Sequence, residues 1–275
     1  MPVETRAGHA THFRQFTTGG ATAARPAIAI HCTLGSSAMW EPVLAPLKGD
    51  LALDVTAPDL PSHGKSAMWD PAAHPDCQRL STQIAASFIN RPIDLIGHSL
   101  GAVIALRIAV AAPEAIRSLT LIEPVLFAAA PQESAVMDDL RREQTRFEEL
   151  LHAGLAEDAA RAFIERWGAG GSWDSWDEQR RARFISQMPM VANCSKGNFA
   201  DNGNILRDGG IEMIDAPVMI LQGDQSPPIT QEVCAAIADR CQDVATATIP
   251  DAGHMLPVTH QSILTDLIAM NIERS

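Results

Sequence analysis

The chain has no excess of basic residues. Its 21 Lys and Arg are outnumbered by 33 Asp and Glu, for a formal net charge of −12. Nucleic acids and anionic membranes bind through basic surfaces, so neither is expected as a partner. There is also no uninterrupted apolar run near the roughly 18 residues needed to cross a bilayer. The first stretch, "MPVETRAGHATHFRQF", lacks the apolar core of a secretory signal. A cytoplasmic location is the resulting expectation. Cys32, Cys77, Cys194, Cys234 and Cys241 form no C-x-x-C pair and read as free thiols in a reducing compartment. No histidine pair has metal-ligand spacing such as H-E-x-x-H. Neither a metal nor a cofactor is expected. Tyrosine is missing altogether, and the composition offers no physical account of that.

What is present is ordinary for a globular protein: 275 residues, 46% hydrophobic and 20% charged. That length suits one large domain or a domain carrying an insertion. Short apolar runs bounded by Gly, Pro or Asp read as buried strands. They are "PAIAIHC" (26–32), "LDVTAPDL" (53–60), "PIDLIGH" (92–98), "SLTLIEP" (118–124), "PVMILQG" (217–223) and "VATATIP" (244–250). Helical patterns at about 38–48, 78–90, 100–112, 231–240 and 260–272 lie between them. The alternation predicts an α/β fold with a mainly parallel, doubly wound sheet covered on both faces. Residues 8–18 add a candidate antiparallel hairpin strand.

The alternation breaks after Pro124. Charged, helix-prone segments follow, among them "ESAVMDDLRREQTRFEELLHAG", "LAEDAARAFIERWG" and "RRARFISQMPM". We read residues 125–213 as a helical cap, and 1–124 with 214–275 as the core. Trp167, Trp173, Trp176, Phe184, Met188 and Met190 would chiefly pack the cap onto the core.

One stretch carries chemistry. In "PIDLIGHSLGAVIALRIAVAAPE", an apolar strand ends in Gly-His-Ser-Leu-Gly and a helix begins at once. A serine is a weak nucleophile until a base takes its proton, and its hydroxyl must project from the backbone. A sharp strand–turn–helix bend achieves this. Gly97 and Gly101 relieve the crowding such a bend creates around Ser99. The helix N-terminus offers backbone N–H groups to an oxyanion.

With three further motifs, the chain resembles the α/β-hydrolases over nearly its whole length. "IHCTLGSSAMW" is similar to the family's His-Gly-x-x-Gly-Ser loop. "PDLPSHGKS" is similar to its Asp-x-x-Gly-x-Gly-x-Ser loop, and "DAGHMLP" to the late segment delivering the catalytic base. The resemblance implies Ser99 as nucleophile and His254 as general base. It implies backbone N–H groups of Leu100 and Thr33 as oxyanion donors. Cys32 stands where the family has Gly, but a backbone donor does not depend on its side chain. Trp40, Trp167, Met188 and Met255 are the candidate substrate contacts. His31 is read as holding its loop and His98 as packing.

The triad acid is less direct. The family usually places an Asp three residues after the glycine ending "PVMILQG", and here that residue is Ser226. Asp224, one past the glycine, is the alternative acid, and Asp251 a remoter one. Glu123 is preferred: it ends "SLTLIEP" at the same sheet edge, as in certain haloalkane dehalogenases with a pattern similar to "LIEP". A carboxylate ending an apolar strand is costly unless paired, and His254 would pair it.

The chemistry expected is acyl transfer to water on a small-molecule ester, lactone or thioester. A serine nucleophile excludes dehalogenation of the family type. A carbon–carbon bond hydrolase of the same fold is the alternative, with Arg142, Arg161, Arg166 or Arg207 available for a carboxylate. A non-catalytic ligand-binding relative is another, since fold does not imply function.

Overall fold

The computed structural model describes residues 3–19, 24–168 and 173–275. The chain opens with a hairpin, β1 (Val3–Arg6) and β2 (His9–Thr17), turning through Ala7 and Gly8 at φ of 50° and 79°. After β3 (Arg25–Ile30) come α1 (Trp40–Leu44), β4 (Leu53–Pro58), α2 (Cys77–Ala86), β5 (Ile93–His98), α3 (Leu100–Ala111) and β6 (Ile116–Ile122). Three helices follow: α4 (Ala135–His152), α5 (Ala156–Trp167) and α6 (Glu178–Ala200). The alternation then resumes with β7 (Val218–Gly223), α7 (Pro228–Ala238), β8 (Val244–Ile249), α8 (Leu256–Thr259) and α9 (Gln261–Glu273).

Among the described residues the strands form one eight-stranded sheet in the order β1-β2-β4-β3-β5-β6-β7-β8. The strands from β3 onward pair in parallel; β2 runs antiparallel to β4, and β1 to β2. The strands expected from the sequence are all present, within two residues at each end, and the candidate hairpin strand at 8–18 is β2. The period of two splits each strand between two layers. Ile28, Ile30, Leu119 and Leu121 face a core shared with α2, α3 and α7. Ala27, Ala29, Ile122 and Leu221 face one shared with α1 and α9. No helix among the described residues is long and apolar enough to cross a membrane.

The inserted helices have their own small core, in which Phe147, Ala159, Ala160, Trp173, Met188 and Val191 are buried. Met188 belongs to it and does not face the cavity, which corrects its candidacy as a substrate contact. Trp40 is corrected too: it is fully buried beneath the sheet with Val43 and Leu44. Sequence periodicity gave no way to tell which side of each helix faced substrate. The third inserted helix continues through Pro189 to Ala200, past the segment its pattern suggested. Contacts to α2 carry it on. Asn193 Oδ1 accepts from Cys77 N at 2.9 Å, and Gln78 Nε2 donates to Cys194 O at 3.0 Å.

Candidate active site

The carboxyl ends of β3, β5, β6, β7 and β8 share one edge of the sheet, where open α/β sheets place their ligands. At the end of β5, Ser99 has φ 56° and ψ −117°, outside the ordinary regions for a side-chain-bearing residue. The bend is crowded. A Cβ on Gly97 would lie 2.3 Å from Gly101 O, and one on Gly101 would lie 2.1 Å from Ile30 O. Only glycine fits at either position, so both halves of the motif have a steric reason.

Ser99 Oγ lies 2.9 Å from His254 Nε2, and His254 Nδ1 lies 2.9 Å from Glu123 Oε2. With Nδ1–H donating to the carboxylate, Nε2 is the ring's acceptor for the serine hydroxyl. Asp224 and Asp251 are exposed, and the imidazole meets neither. Glu123 itself has φ 50°, a left-handed conformation that a single residue tolerates at a cost. Its other oxygen, Oε1, accepts from Gly223 N at 2.6 Å and from Ser226 Oγ at 2.7 Å. Ser226, standing where the family usually has its acid, therefore holds Glu123. Ser226 received no role from the sequence; its place three residues after Gly223 was the available signal.

His254 is fastened from behind as well. His98 is fully buried, and its Nε2–H donates to the backbone oxygen of His254 at 2.8 Å. Burial, then the neighbouring His254, hold its pKa well below 6.5, so the ring is neutral. The Trp167 and His254 rings meet in a T-shaped arrangement, with centroids 4.8 Å apart and planes at 68°.

The loop after β3 brings Cys32, Thr33 and Leu34 to the same cavity as Ser99. Among the described residues, neither Thr33 N–H nor Leu100 N–H donates to a protein acceptor. Two buried histidines brace this loop. His31 Nδ1–H donates to Cys32 O at 2.7 Å while Nε2 accepts from Leu60 N at 2.9 Å. His63 Nε2 accepts from Leu34 N at 2.8 Å, holding a leucine whose φ is 63°. Burial, then the nearby His31, push the His63 pKa down to about 3. Asp59 completes the brace by accepting from Ser37 N and Lys65 N. Burial pushes the Cys32 thiol up to about 12, so it stays protonated and is no rival nucleophile.

Above the sheet edge lies a cavity of about 550 Å³, bounded by the inserted helices. Its walls are largely apolar, including Phe127, Phe147, Phe163, Trp167, Trp176 and Phe184. Trp167 and Met255 are in this wall, as the sequence suggested.

Residues 26–261 match the family model described as alpha/beta hydrolase fold. The (E)-2-((N-methylformamido)methylene)succinate hydrolase of Acinetobacter baylyi is 20% identical over 202 residues, covering 73% of each chain. Among solved structures, MGS-M2, an α/β hydrolase from a Medee basin deep-sea metagenome, superposes with a TM-score of 0.72 at 15% identity, covering 100% of this chain and 98% of its own. A loop variant of the haloalkane dehalogenase DbeA from Bradyrhizobium elkanii gives 0.70 at 19% identity, with 98% and 95% covered. At these identities the structural likenesses speak to the fold alone.

Proposed function

The chain belongs to the α/β-hydrolase fold family. From that premise we propose that it is a serine hydrolase cleaving a carboxylic ester, lactone or thioester through an acyl-enzyme. The observation that carries this reading is the pair of 2.9 Å contacts linking Ser99, His254 and Glu123, with Ser99 and His254 lining one cavity and Glu123 buried behind them. Ser99 Oγ attacks the carbonyl carbon as its proton passes to His254 Nε2. The carbonyl oxygen takes the negative charge between the N–H groups of Leu100 and Thr33. Glu123 holds the imidazole's tautomer and stabilises the imidazolium. The imidazolium then protonates the leaving oxygen or sulfur, and water repeats the sequence to release the acid. Residues 125–213 act as a cap that shapes the acyl or alcohol pocket. Dehalogenase chemistry, which the DbeA name would suggest, needs a carboxylate where this chain has Ser99.

A fluorophosphonate probe tests the reading. Wild type should label and Ser99→Ala should not. No labelling, or equal labelling of both, would overturn it in favour of a ligand-binding relative. p-Nitrophenyl esters of graded chain length then define the pocket's reach.

A further inference from the structure

The third inserted helix presents Val191, Cys194, Ser195 and Asn198 to the cavity. Their three- and four-residue spacing places them on one helix face. In a wall of aromatic and aliphatic groups, Asn198 is out of character. It is 6% exposed, and it lines the cavity that holds Ser99. Its amide is oriented from outside the cavity. Gln78 Nε2 donates to Asn198 Oδ1 at 2.6 Å and to Cys194 O at 3.0 Å, which uses both of that nitrogen's hydrogens. Asn198 Oδ1 therefore faces Gln78, and Nδ2 is left as the free end. Among the described residues no protein acceptor takes the Nδ2 hydrogens. A Cβ on Gly197 would lie 2.7 Å from the Gln78 amide, so the seam that fixes the orientation is tightly packed. Nδ2 is not sealed from the cavity, and pockets use such isolated polar groups to orient ligands.

We propose that Asn198 Nδ2–H recognises a second carbonyl oxygen of the substrate, remote from the bond that Ser99 attacks. This rests on the hydrolase reading above and deepens it: the substrate is an oxo-substituted ester, not a plain alkyl one. A neutral oxygen fits because the donor is a neutral amide. Of the arginines in the wall, Arg166 is paired with Glu143 at 2.9 Å, Arg180 lies over the Trp176 ring at 4.0 Å, and Arg146 is exposed. Ser195 Oγ likewise donates to Gln144 Oε1 at 2.7 Å and adds no second free donor.

The test uses p-nitrophenyl esters of straight-chain acids with one oxo group at successive carbons, each compared with the unsubstituted ester. Wild type should favour one oxo position by about tenfold in kcat/KM, the scale of one hydrogen bond. Asn198→Asp keeps the acceptor for Gln78 and removes the donor, so a packing role survives it. Its oxo-to-plain ratio should fall about tenfold at that position, and Asn198→Leu should behave alike. Dividing the ratios cancels the oxo group's own effect on ester reactivity. Ratios equal in wild type and Asn198→Asp, or a wild-type preference for a terminal carboxylate over any oxo group, would overturn the proposal. If the probe fails to label Ser99, the hydrolase reading falls instead. Oxo and plain compounds are then compared by thermal shift on the wild type, where equal shifts would overturn the carbonyl site as well.

Discussion

The sheet edge and the inserted helices build the same cavity by different means. At the edge, position is imposed by backbone: Ser99, Glu123 and Leu34 all sit at positive φ, and each is held by a specific hydrogen bond or steric fit. In the inserted helices, position comes from side-chain packing around Phe147, Trp173 and Met188. A backbone-imposed site is preorganised and tolerates little change. A packed wall can exchange one apolar side chain for another of similar volume. Chemistry should therefore fail at the edge, and selectivity should shift in the helices.

The largest test of that contrast is Glu123→Gln. The uncharged amide cannot stabilise the imidazolium, and kcat on a p-nitrophenyl ester should fall by about 10⁴ while circular dichroism is unchanged. Asp224→Asn should leave kcat within about twofold; if it is the crippling change, the acid is misassigned. Next comes Trp40→Ala, which empties a fully buried site beneath the sheet. It should cost about 3–5 kcal/mol in denaturant unfolding. Trp167→Ala, in the wall, should instead alter KM across the ester series. Ser226→Ala removes one of the two donors to Glu123 Oε1. With Gly223 N–H still in place, kcat should drop only about tenfold, and Ser226→Thr should restore much of it.

The smallest effect is read in pH. The unfolded chain protonates His63 below about pH 6.5, whereas the folded protein resists until about pH 3. The unfolded state thus binds more protons in that window, and stability falls as pH falls through it. His63 should contribute about 1.4 kcal/mol of loss per pH unit below 6.5. In His63→Gln the slope between pH 6.5 and 5 should flatten. It should not vanish, because burial also lowers the pKa of His31 and His98.

The same contrast explains what could be read from the chain. Strands and the serine bend were legible because buried parallel strands are short apolar runs with Gly or Pro at their ends, and the bend needs glycines at fixed spacing. The contact between Glu123 and His254 was legible because Glu123 ends an apolar strand beside the strand that carries Ser99. The wall was not. The sequence marks Trp40 and Met188 as large and apolar, but which way a helix faces depends on what packs against it. Asn198 lies in the part of its helix beyond Pro189, where tertiary contacts override the local helix-breaking signal. Ser226 gained its role only once Glu123 occupied the neighbouring strand end.

The order of the proposed groups along the chain has a consequence for synthesis. Ser99 and Glu123 emerge from the ribosome before the inserted helices, and His254 emerges after them. A nascent or prematurely terminated polypeptide would carry the alcohol without its proton acceptor. Turnover would then report translation as far as His254, and fragments ending before it would be catalytically silent even where they fold.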